Sequence, residues 1–71
     1  MGQPEHFVVR ATGATGTYWL SEPNDKGLRL LVPRERAAVF QGLREAGLAI
    51  DKMPEAFKTA GIVFRADAIP S

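Results

Sequence analysis

The sequence predicts a small α+β domain in the order β-β-β-α-β, a mostly antiparallel sheet with one proline-interrupted helix packed on one face. Three observations predict it. Only 37–57 has helical periodicity, with apolar residues at Leu43, Ala46, Gly47, Ile50, Met53 and Phe57, the spacing of a helix with one buried face. The segments on either side alternate apolar and polar residues, as half-buried strands do. The stretches between those segments are rich in Gly, Pro, Asn and Asp, which favour turns through positive φ, fixed φ or side-chain bonds to the backbone.

Taken in order, 1–5 is a loose terminus, because Gly2 and Pro4 discourage regular structure. The first strand is 6–12, with Phe7, Val9 and Ala11 on one face and His6, Val8, Arg10 and Thr12 on the other. Gly13-Ala14-Thr15-Gly16 closes a hairpin. The return strand is 17–21, with Tyr18 and Leu20 on one face and Thr17, Trp19 and Ser21 on the other. A slip of one residue would exchange Tyr18 and Trp19. A second turn, 22–27, leads to a third strand at 28–32. Leu28, Leu30 and Val32 are assigned to its inner face, Arg29 and Leu31 to its outer one. Pro33 interrupts the ladder. Beyond it, 34–40 is read as a strand continuation on the parity of Ala38 and Phe40, although RERAA also suits a helix.

The helix begins near Gln41 or Gly42 and either kinks at Pro54 or restarts there as a second short helix. Gly61 is a C-terminal cap. The last strand, 62–68, sets Ile62, Phe64 and Ala66 against Val63, Arg65 and Asp67, and is expected beside the first. Residues 69–71 are a loose end. The predicted core is Phe7, Val9, Ala11, Tyr18, Leu20, Leu28, Leu30, Val32, Phe40, Ile62 and Phe64, capped by Leu43, Ile50, Met53 and Phe57.

At 71 residues the chain is one domain, 1–71, with a small core. It has no cysteine, hence no disulfide and no thiolate nucleophile or zinc ligand, which suits a cytoplasmic setting. One histidine excludes a multi-histidine metal site. A net charge of +1 is too balanced for general affinity to nucleic acid or membranes. No apolar run is long enough to span a bilayer. The start lacks the basic and apolar regions of a signal peptide, and His6 stands where a myristoylation pattern needs Ser or Thr. No catalytic constellation is legible. Glu45, Asp51 and Glu55 fall on the solvated side of the helix, and nothing places Ser21, His6 and Asp25 together. The expectation is a non-enzymatic protein without cofactor or metal.

What the pattern offers is a surface. If the helix covers one face of the sheet, the other carries Arg10, Trp19, Arg29, Leu31 and Arg65, with Val8 and Val63. Tryptophan and arginine are enriched in interface hot spots, and open aliphatic groups on so small a domain mark a contact surface. These five residues are the expected partner-binding set, and a protein is the expected partner. Solubilising arginines on a solvated face are the bland alternative. A nucleic-acid module is the second reading: Lys26, Arg29, Arg34 and Arg36 lie near Tyr18 and Trp19, a combination that can stack and neutralise a single strand. A homodimer through open faces or edge strands is the third. Gly13–Gly16 matches the GXXG loop of KH nucleic-acid modules, but that loop joins helices and this one joins strands.

The run Ala38-Val39-Phe40, then Glu45-Ala46 and Ala49-Ile50, together with the hairpin from Gly13 to Leu20, resembles short proteins of bacteria and their phages in which a strand ending in Phe leads into a helix with a Glu-Ala pair. The resemblance covers about two thirds of the chain and rests on packing positions. It extends to phage-encoded inhibitors of the anti-CRISPR kind, tiny sheet-and-helix domains that occupy a site on a larger machine. It implies an inhibitor or modulator without catalytic residues, by analogy of fold.

Overall fold

A computed structural model describes residues 6–70, so the expectation for 1–5 lies outside the described residues, as does Ser71. Strands β1 (Phe7–Gly13), β2 (Gly16–Leu20), β3 (Leu31–Val32) and β4 (Val63–Ala68) form one sheet in the order β3-β2-β1-β4. Every pairing is antiparallel, and the last strand does lie beside the first. Helix α1 (Leu43–Asp51) and the short α2 (Glu55–Thr59) precede β4, and α1 rides over β1 and β4. This is the expected small α+β fold.

Local chemistry sets the connections. In the first hairpin Gly13 pairs with Gly16, Ala14 and Thr15 form the tip, and Gly16 takes φ +137°. Pro54 ends α1 because it has no N–H to give. It stands extended before α2 (φ −57°, ψ 143°), so the helix restarts rather than kinks. Helix α2 closes with Gly61 at φ +87°, the Gly61 N–H donating to Lys58 and the Ile62 N–H to Phe57. This crossed pair is the Schellman arrangement that glycine permits.

The far end of the sheet is forked. Between Phe7 and Leu20 the first two strands part, and the segment after β3 enters the gap. There the Ala38 N–H donates to the Leu20 carbonyl at 2.8 Å, and Phe7 and Phe40 exchange both backbone bonds at 2.8 and 2.7 Å. The strand expected at 34–40 is therefore a 3-10 turn at Arg34–Arg36 followed by this short wedge. Val9, Leu20, Ala38, Phe40, Ala46, Ala49 and Met53 form the buried core, with Phe7, Leu31, Ile50, Phe57, Phe64 and Ala66 packed against it. Phe57 meets Phe64 edge-on at 6.3 Å between ring centroids, fastening α2 to β4.

The third strand has the opposite parity to the one expected. Leu20 pairs with Leu31 and Trp19 with Val32, so Leu31 turns to the helix face and Val32 to the other. Leu28 and Leu30 are 54% and 55% exposed, outside the core to which the alternation assigned them. The Leu30-Leu31 doublet satisfies either parity, and the loop decides between them. The Asn24 side chain accepts from Lys26 and Leu28, while Ser21 bonds Leu30 through both its backbone N–H and its hydroxyl. Leu43, expected inside, is 62% exposed; α1 docks on the alanines Ala46 and Ala49 instead. Ile69 is not loose, because its N–H donates to the His6 carbonyl at 2.9 Å.

Leu20→Ala should cost about 2–5 kcal/mol in urea unfolding, as for a fully buried leucine, whereas Leu30→Ala should cost less than about 1 kcal/mol. A cost at Leu30 as large as that at Leu20 would require the other register of β3.

Candidate interaction face

The sheet face turned away from the helices holds Val8, Arg10 and Thr12 of β1, Thr17 and Trp19 of β2, Val32 of β3, and Val63, Arg65 and Asp67 of β4. Trp19 is on this face, directly opposite Arg10 on one side and Val32 on the other. Alternation puts it there: Tyr18 lies opposite Ala11 on the helix face, and Trp19 is the next residue.

Of the five residues expected at a partner surface, the structure brings three together. Arg10, Trp19 and Arg65 share the uncovered face, and Arg10 stands directly opposite both of the others. Leu31 and Arg29 do not join them. Leu31 packs against the core through the parity of β3. Arg29 reaches over the helix side, its guanidinium 4.8 Å from the centre of the Phe40 ring and its Nη1 donating to the Ser21 carbonyl at 3.0 Å. There it covers the buried Phe40 with a cation–π contact, a structural task.

The face is also less open than alternation implies. Val8 is 2% exposed although no helix covers it. Its neighbours by register are Arg10 on its own strand, Asp67 directly opposite and Trp19 diagonally across, within reach of long side chains. Arg10 Nε lies 3.2 Å from Asp67 Oδ2, yet that nitrogen is sealed from solvent without a hydrogen bond, so the contact is a charge pair of poor angle. Both side chains remain more than a third exposed, and such a pair contributes little to stability. The open aliphatic patch reduces to Val63 and part of Val32. Val32 was missed as a face residue because the Leu30-Leu31 doublet concealed its parity.

Two hollows with mostly apolar lining open among the described residues. One, of about 190 Å³, lies at the hairpin end among Ala11, Tyr18, Leu31, Ala60 and Ile62. The other, of about 310 Å³, lies between Leu28, Leu30, Met53, Pro54 and Phe57. Their polar linings are Thr15 and Tyr18 in the first and Arg29 and Lys52 in the second. Among the described residues no group of three or more His, Asp or Glu side chains could hold a metal ion, and no helix is long and apolar enough to cross a membrane. The face presents an indole between Arg10 and Val32, with Arg10 beside the Asp67 carboxylate and Arg65 on the far side of Arg10.

Acrylamide should quench Trp19 fluorescence clearly less than free tryptophan, yet measurably, as suits a half-buried ring. Complete protection would place the indole beneath the helices. Compared with protein-family models, curated proteins and solved structures, the chain matches none.

Proposed function

We propose that this protein is a non-enzymatic protein-binding module that acts by occupying a surface of a larger assembly, as an inhibitor or modulator of the kind its sequence resembles. Its contact face is the uncovered side of the sheet, centred on Trp19 with Arg10, Val32 and Arg65. The observation that carries this reading is the position of the only tryptophan: half-buried, beside arginine, on the face that no helix covers. A ring held by its neighbours loses little freedom on binding and can bury a large area at a small entropic cost. The nucleic-acid alternative asks more of the same face. Arg29 is engaged on the other side and Arg10 is already beside Asp67, which leaves Arg65 as the one cation of this face, among the described residues, without a carboxylate partner.

The test is affinity capture from the organism that encodes the chain, with wild type and Trp19→Ala as parallel baits. A partner retained by the first should be lost or weakened at least tenfold with the second, while circular dichroism reports an intact fold. Equal retention by both baits would remove the face from the proposal. Binding to oligonucleotides that falls steeply with added salt would favour the alternative reading.

A further inference from the structure

We infer that β4 pairs with β4 of a second copy, so that two sheets join edge to edge about a twofold axis through Ala66. The two sheet edges are treated differently by the sequence. At one edge β3 is two residues long and stops at Pro33, which blunts it. At the other, β4 runs six residues without proline, lysine or bulge, in continuous register with β1 from Phe7–Ala68 to Thr12–Val63. Among the described residues its outer side meets no other strand. The Ile69 N–H donates to the carbonyl of His6, just before β1. Alternation then aims Asp67, Arg65 and Val63 at β1 as well, and leaves the N–H and C=O groups of Phe64, Ala66 and Ala68 facing outward. An edge of this form is a template for another strand.

Charge selects both the occupant and its register. Arg65 lies directly opposite Arg10, like charge on like charge, a pairing that is normally unfavourable. The only ion pair among the described residues joins Arg10 to Asp67 and leaves Arg65 out. An antiparallel pairing of β4 with itself about Ala66 sets Arg65 opposite the partner's Asp67, and does so twice by symmetry. It also brings Ala66 against the partner's Ala66 and Phe64 against the partner's Ala68, all with outward backbone groups. Moving the axis to Arg65 sets arginine against arginine, and moving it to Asp67 sets carboxylate against carboxylate. The twofold about Ala66 therefore gives full-length pairing with complementary charge.

Helix α1 supplies an independent observation. Leu48, with Glu45 and Lys52, lies on the flank turned toward Arg29 and so toward β3. By helical spacing the opposite flank carries Leu43, Gly47 and Ile50, and the strand order β3-β2-β1-β4, with α1 over β1 and β4, puts the β4 edge on that side. Leu43 is 62% exposed, and a Cβ added at Gly47 would meet nothing within 4 Å. Strands lie about 4.8 Å apart. A helix seated midway over β1 and β4 would thus stand about 10 Å from its symmetry mate, near the separation of packed helices. Leu43 would then be buried by the second copy. This inference is separate from the Trp19 reading, except that it assigns Arg65 to the joint between copies.

Sedimentation velocity from 1 to 200 µM tests it, a concentration range of about two decades chosen to bracket ordinary dimer affinities. Wild type should dimerise. Arg65→Asp should weaken the dimer at least tenfold, and the double variant Arg65→Asp with Asp67→Arg should restore it. Ala66→Pro should abolish it with an unchanged circular dichroism spectrum, because the nitrogen it alters points away from β1. A wild type that stays monomeric throughout, or a dimer indifferent to Arg65→Asp, overturns the inference. If Ala66→Pro fails to fold, the charge-swap series decides alone.

Discussion

Everything in this fold depends on filling the fork between β1 and β2. Backbone groups buried without partners are costly, and where the two strands part the carbonyl of Leu20 and both polar groups of Phe7 would be left over. The wedge of Ala38 and Phe40 takes all three. In doing so it brings two buried side chains into the centre of the core, beside Val9 and Leu20. It also fixes where the chain leaves the sheet for α1. The excursion from Ser21 to Ala37 is thereby pinned at both ends.

The wedge explains why the two faces differ in character. With Phe40 under the helices, its ring needs a cover on the side where α1 does not reach, and Arg29 provides one. With Leu31 directed inward to meet the same core, Val32 turns outward beside Trp19. A face that alternation would fill with three arginines and three open aliphatic residues becomes narrower: an indole, a paired arginine, an arginine facing like charge, and a valine buried between them.

The proposed function is that of a protein that works by contact. Among the described residues no three acidic or histidine side chains cluster as a metal site, the two hollows are lined mostly by apolar atoms, and Asp67 lies beside Arg10. A domain this small gains little core on folding, and its unblunted edge and exposed Leu43 offer apolar area that a second copy could bury. Association would then contribute both stability and a broader contact face.

The sequence by itself determined the elements that rest on local chemistry. The hairpin at Gly13–Gly16, an interruption of the helix at Pro54, the glycine cap at Gly61 and the alternation of β1, β2 and β4 each follow from what a few adjacent residues can adopt. The side on which Trp19 stands follows from the same alternation. Only the tertiary structure decided the parity of β3, the place of Arg29, the wedge at Ala38 and Phe40, and the choice of alanines over Leu43 as the docking surface of α1. A leucine doublet fits two registers equally, a long arginine can reach either side of an edge, and a helix approaches a sheet most closely through its smallest side chains. Those choices depend on which distant groups need a partner, and local sequence carries no record of that.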